Sequence, residues 1–149
     1  MTRIRRILHP SDFSRASGAA FARAAQLARD NRAELVVLHV LALPLPMVPG
    51  EGYIPADVYE RMETSSRAWA NRELGKRVAR AKKAGARARA LLAEGVAADR
   101  IVRIARSTRS DVIVIGTHGR TGLAKLFLGS VAARVLATAR CPVLTVRGR

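Results

Sequence analysis

The chain has 149 residues, 49% of them hydrophobic but only 4% aromatic, so a single core of Val, Ile, Leu and Ala in one domain over residues 1–149 is expected. No apolar run approaches the roughly 20 residues of a membrane-spanning helix, and Ile7-Leu8 is too short for a secretory leader's apolar core, so the expectation is a cytoplasmic protein with no membrane partner. Lys and Arg total 27 against 11 Asp and Glu, a net charge of +16, which attracts anions such as nucleotides, nucleic acid and acidic proteins.

Strand-like and helix-like segments alternate, which implies βαβ units and a parallel sheet. A first strand is expected over residues 3–9, broken by Pro10-Ser11-Asp12. A helix follows over 14–31, with Phe21, Ala24, Ala25 and Ala28 on one face and Asp12 or Ser14 able to cap its first turn. The second strand, 34–41, contains the apolar run Leu35-Val36-Val37-Leu38, as suits a strand covered on both faces. Residues 43–56 hold four prolines and two glycines and read as a long surface loop.

A second helix is expected over 57–84, with Val58, Met62, Ser65 and Trp69 as its inward stripe and Gly85 as its end. The densest basic cluster, 76–89, lies mostly on this helix. It lacks the interleaved aromatics of a single-strand nucleic-acid surface and reads as a solvated face. A strand at 87–93, a helix at 97–107, a strand at 111–115, a helix at 130–139 and a strand at 142–146 complete the pattern. Cys141, the only cysteine, precedes the last strand with no acid or base motif beside it and reads as structural.

The chemistry concentrates after the fourth strand, in Gly116-Thr117-His118-Gly119-Arg120-Thr121-Gly122, with a helix opening at Gly129-Ser130. Glycines let backbone N–H groups approach a ligand, and several together form an anion-binding nest. The first N–H groups of a helix lack intrahelical partners, and the helix dipole adds positive charge there. Neither the Walker A spacing nor the dinucleotide Gly-x-Gly-x2-Gly spacing is present. The spacing is Gly116-x2-Gly119-x9-Gly129-Ser130.

That spacing resembles the signature of the ATP-binding subgroup of the universal stress protein family, and the resemblance covers the whole chain. The flanks agree: Ile7-Leu8-His9-Pro10-Ser11-Asp12, Leu38-His39-Val40, Leu126-Phe127-Leu128-Gly129-Ser130-Val131-Ala132 and Cys141-Pro142-Val143-Leu144-Thr145-Val146. The resemblance implies an open α/β/α sandwich with a five-stranded parallel sheet in order 3-2-1-4-5, the adenine nucleotide alpha hydrolase-like fold. Such sheets bind ligands where the strand order reverses, which brings Asp12 and the Gly116 loop to one crevice.

By resemblance, Pro10, Ser11 and Asp12 contact the nucleoside. Asp12 is then placed for ribose hydroxyls or for Mg2+ carried on the phosphates; otherwise it is a helix cap. The Val40 backbone reads the adenine edge. Gly116, His118 and Gly119 form the first part of the phosphate site, Gly129, Ser130 and Val131 the second, and Ile115 is a further cofactor-binding position. Arg120 and Lys125 either screen phosphate charge or are solvated. His9 and His39 read as strand-end residues. No Walker lysine, water-positioning base or zinc-ligand spacing is present, so no catalytic residue is assigned. The implied protein binds ATP and acts in the stress response through nucleotide-dependent conformation or dimer contacts, with slow or absent hydrolysis. The edge strand 142–146 is the expected homodimer contact, beside a protein partner that the sequence does not name. A basic nucleic-acid binder or a dimer adaptor is the alternative.

Overall fold

The computed structural model describes residues 3–42, 50, 52–118 and 128–148. Strands and helices alternate as β1 (Arg6–Pro10), α1 (Arg15–Asn31), β2 (Glu34–Leu41), α2 (Ala56–Lys83), β3 (Arg87–Glu94), α3 (Ala97–Ser107), β4 (Val112–Gly116), α4 (Ser130–Thr138) and β5 (Val143–Val146). Each strand pairs parallel with its neighbour in the order β3-β2-β1-β4-β5. This is the expected architecture. Most of the loop expected over 43–56 lies outside the described residues.

The two-residue period of a strand sends alternate side chains to opposite faces. On β2, Leu35 and Val37 join one buried cluster with Phe21, Ala24 and Ala28 of α1 and Leu74 of α2. Val36 and Leu38 join a second with Ile101 of α3 and Val135 of α4. The layering follows from handedness. A strand–helix–strand crossover to a parallel strand is right-handed in nearly all cases. From β1 the chain steps outward to β2 and β3, which puts α1 and α2 on one face. It then returns past β1 to β4 and β5, and the reversed direction puts α3 and α4 on the other.

Two details differ from expectation. The first strand begins at Arg6 rather than residue 3, and it runs through Pro10, level with Leu38 of β2, rather than stopping before it. The backbone N–H groups of Arg5 and Arg6 donate to Asp111 Oδ2 at 2.7 and 2.8 Å, so a side chain takes what a neighbouring strand would have taken. Asp111 is therefore a clamp just ahead of β4. The inward stripe of α2 is also displaced: Met62 is 41% exposed, and the buried residues are Ala70, Leu74 and Ala81. With 28 residues, α2 is about 42 Å long, whereas the eight residues of β3 rise about 26 Å. The helix outruns the sheet, and its first half meets the rest of the described chain near its end, where Arg67 pairs with Glu94 and the Trp69 ring packs edge-on against Phe13 and His39. Gly85, at φ +87° just past α2, takes the left-handed turn that ends it.

His9 is wholly buried in β1. Its Nδ1–H donates to the Val114 carbonyl at 2.9 Å, and Nε2 has no hydrogen-bond partner among the described residues. Burial, with the charge of Arg77, outweighs that hydrogen bond and the charge of Asp12, and pulls the His9 pKa from 6.5 down to about 4. The folded chain keeps the ring neutral while the unfolded chain protonates it, so stability falls as pH falls from 6.5 towards 4. At about 1.4 kcal/mol per tenfold change in proton affinity, the full loss is about 3 kcal/mol. Urea unfolding at pH 7 and pH 4.5 is expected to show most of that loss in the parent and much less in His9→Leu.

Candidate functional site

The reversal of strand order separates the connections leaving β1 and β4, and a cavity of about 330 Å³ opens at their C-terminal ends. Its floor is Pro10, Ser11 and Asp12 from the end of β1, Leu38, His39 and Val40 from β2, and Ile115, Gly116, Thr117 and His118 from β4. Ser17 of α1, Ala97 and Ile101 of α3, and Gly129, Ser130, Val131 and Ala132 at the start of α4 close the sides. Pro10, Ser11, Asp12, Val40, Ile115, Gly116, His118, Gly129, Ser130 and Val131 were all expected here, and all line it. Gly119, with Arg120 and Lys125, lies outside the described residues.

The sequence reading missed Ser17, Leu38, Ala97, Ile101, Thr117 and Ala132, and set His39 aside. Thr117 and Ala132 adjoin motif positions, so the motif itself could have suggested them. Ala97 and Ile101 carry no local signal, because α3 reaches the crevice only through the crossover between β3 and β4.

A parallel α/β sheet aims every helix N-terminus at this end. Those of α1, α3 and α4 meet at the cavity, and neither α3 nor α4 has a side-chain cap. The N–H of Ala133 is paired, to Gly129 O at 2.9 Å, so the N–H groups ahead of it in the first turn have no intrahelical acceptor. Among the described residues Asp12 is the only carboxylate lining the cavity. Val40, Ile101, Ile115 and Val131 supply apolar wall. The arrangement suits a ligand with a flat apolar part and an anionic part.

Gly116 and Gly129 do not use left-handed backbone: Gly129 has φ −58°, and Gly116 is absent from the positive-φ residues. A Cβ on Gly116 would sit 3.5 Å from Ala16 O and 3.6 Å from Ser17 Cα, an ordinary contact. Neither the backbone angle nor a close contact with α1 therefore demands glycine at Gly116. The loop is closed by backbone, with Gly129 N–H donating to Thr117 O at 2.6 Å and Thr117 N–H to Val146 O at 3.0 Å.

The β1–α1 turn is tightly hydrogen-bonded. Ser11 N–H donates to Leu38 O at 2.8 Å. Ser14 N–H donates to Asp12 Oδ1 at 2.9 Å, while Ser14 Oγ accepts from Ser17 N–H at 3.2 Å as the helix cap. Ser11 Oγ lies 3.0 Å from Ser17 Oγ. Nδ1 of His39 donates to Ser11 O at 2.7 Å, which fixes its tautomer. Between them, Phe13 has φ +62°, a left-handed conformation that costs a bulky residue roughly 1–3 kcal/mol. Its ring is held by stacking on His39 at 4.5 Å, by an edge contact with Trp69 at 5.3 Å, and by the Arg77 guanidinium 5.0 Å from its centre.

The universal stress protein family model matches residues 3–147. The chain belongs to the universal stress protein family. It is 34% identical over 144 residues to a universal stress protein of Methanocaldococcus jannaschii, covering 96% of this chain and 82% of that one. It is 36% identical over 140 residues to universal stress protein A homolog 1 of Coxiella burnetii, covering 94% of each. The solved structure of UspA from Lactobacillus plantarum superposes with a TM-score of 0.87 at 25% identity, over 99% of this chain and all of that one (100%). This universal stress protein thus shares both sequence and fold with the family along its length.

Phe13→Ala is expected to cost about 2 kcal/mol in urea unfolding, because the ring contacts go and the left-handed strain stays. Phe13→Gly should recover about 1 kcal/mol of that loss, since glycine adopts this backbone freely. Trp69, the only tryptophan, gives the optical readout.

Proposed function

We propose that the crevice between β1 and β4 binds an adenine nucleotide, ATP foremost, and that occupancy biases the conformation or the dimer contacts of this universal stress protein in a cytoplasmic stress response. The observation that carries the reading is the meeting of three helix N-termini over one largely apolar cavity with a single carboxylate among its described residues. Support comes also from fold neighbours solved with adenine nucleotides. These are a universal stress protein with cAMP (TM-score 0.74, 24% identity), one from Archaeoglobus fulgidus with dAMP (0.64, 24%), and one from Arabidopsis thaliana with AMP (0.69, 22%).

In this reading the purine lies against Val40 and Ile115, with the Val40 backbone at its edge. Asp12 receives the ribose hydroxyls. Gly116, His118 and Gly119 hold one side of the phosphates, and the N–H groups of Ser130 and Val131 hold the other, with Gly129, whose own N–H is bonded to Thr117 O, leading into them. The described residues contain no group of three or more His, Cys, Asp or Glu side chains that could hold a metal. Mg2+ therefore arrives on the phosphates, with Asp12 as the carboxylate nearest to hand. No base for activating water is assigned, and hydrolysis is slow or absent. The chain acts as one domain, and a second copy pairs along β5, an edge strand whose Leu144 is 39% exposed.

Two measurements test this. In thermal unfolding at about 0.15 M salt, where surface charge is well screened, AMP and Mg-ATP at about 100 times their dissociation constants should each add roughly 2.7 kcal/mol, and tripolyphosphate much less. Val131→Glu places a carboxylate in the first turn of α4, which suits the helix dipole but repels phosphate. Its unliganded stability should match the parent while the nucleotide shift disappears. An equal shift with tripolyphosphate would remove adenine recognition from the proposal. Separately, the mass in solution at micromolar concentration should be that of a dimer, and Leu144→Asp should make it a monomer.

A further inference from the structure

The basic charge is spread unevenly along the strand axis. At the end of the sheet away from the crevice, Arg5 precedes β1 and Arg6 opens it, Arg87 and Arg89 lie on β3, and Arg32 and Arg109 occupy the turns after α1 and α3. Arg6, Glu34 and Arg87 stand level across β1, β2 and β3. With Arg5 and Ala88 they line a second cavity, of about 350 Å³.

The carboxylates at this end are already engaged. Glu34 Oε2 lies 2.6 Å from Arg6 Nε, and its Oε1 lies 3.0 Å from Arg89 Nε. Burial opposes the charged form of Glu34, but the Arg6 hydrogen bond and the charges of Arg89 and Arg6 outweigh it and keep its pKa below the ordinary value. Asp111 accepts from the Arg5 and Arg6 backbone. Arg5, Arg32, Arg87 and Arg109 are exposed and have no ion pair among the described residues.

The helix dipole explains cations in the last turns of helices, but not arginines at strand starts, since sheets carry only small dipoles. The two turn arginines are costly besides. Arg32 and Arg109 have φ of +54° and +52°, where α2 uses Gly85, and a left-handed side chain costs roughly 1–2 kcal/mol.

We propose that this end of the sheet is a second anion site, distinct from the crevice, and that its partner is the phosphate backbone of a nucleic-acid duplex, held without base readout. The guanidinium fork matches phosphate oxygens. From β3 to the turn before β4 the arginines span three strand spacings, about 14 Å, wider than one phosphate. None of the aromatic side chains described, and none of the exposed large apolar ones, lies on these strand starts and turns. That removes base stacking and insertion into a bilayer.

The test is fluorescence anisotropy of a labelled 20-base-pair duplex of arbitrary sequence with the full chain, between 50 and 200 mM salt and in excess AMP. The triple variant Arg5→Ser, Arg87→Thr, Arg109→Asn lowers the net charge from +16 to +13. So does the control Arg23→Gln, Arg72→Gln, Arg103→Gln. The first should weaken binding at least tenfold at 50 mM salt and flatten the log–log salt slope by about 3, one per lost phosphate contact. The control should stay within about threefold of the parent. Arg32→Asn with Arg109→Asn, a pair that suits left-handed backbone, should fold at least as well as the parent and flatten the slope by about 2. Equal losses in the triple variant and its control would overturn the site in favour of diffuse charge. Displacement of the duplex by AMP would move binding to the crevice and also overturn it. Binding to phosphatidylserine vesicles without binding to the duplex would overturn the assigned partner.

Discussion

The reversal of strand order between β1 and β4 is the constraint on which the rest of the molecule depends. Right-handed crossovers permit one helix layer for each direction of travel across a sheet. A chain that steps outward to β3 and then returns past β1 must cover both faces. It must also leave a gap where connections depart in opposite directions. The gap is the crevice, and each strand from β1 to β4 is followed by a helix whose N-terminus lies at that end of the sheet. The positive potential there arises from backbone dipoles, so the site needs few charged side chains of its own.

The turn after β1 shows how the crevice wall is made rigid. Phe13 carries backbone strain, and the strain persists because His39, Trp69 and Arg77 from two other elements hold its ring. The same turn presents Ser11 and Asp12 to the cavity, with Ser11 tied to β2 through Leu38 O and to α1 through Ser17. A strained residue clamped by its neighbours fits a surface that must be preformed. His9, buried one residue before the turn, adds a neutral ring that the fold holds against protonation. Cys141, by contrast, is half-buried with its thiol pushed up by burial, which fits a structural role.

The two ends of the sheet differ in how they carry positive charge. At the crevice it comes from helix N-termini, and most of the side-chain surface is apolar or neutral. At the opposite end it comes from guanidinium groups on strand starts and turns, organised around Glu34. These kinds of charge suit different anions. Preformed N–H groups hold one small phosphate in a fixed pose, whereas spaced arginines on an open surface suit an extended polyanion.

The pattern of apolar runs and breakers in the sequence was enough to set the alternation of elements, because strand and helix periods and the placement of Gly and Pro are local properties. The ends of β2 and α3 were legible to the residue. The glycine spacing, read with its flanks, carried the family resemblance that named the described motif residues of the crevice. What it left open was decided by distance in space. Asp111 shortened β1 from a hundred residues away. The length of α2 relative to the sheet exposed Met62 and put Leu74 in the core. The crossover after β3 brought Ala97 and Ile101 to the cavity, and the register of β1, β2 and β3 set Arg6 and Arg87 on either side of Glu34. Each of these depends on which elements lie side by side, and adjacency across a sheet leaves no periodic mark in any single segment.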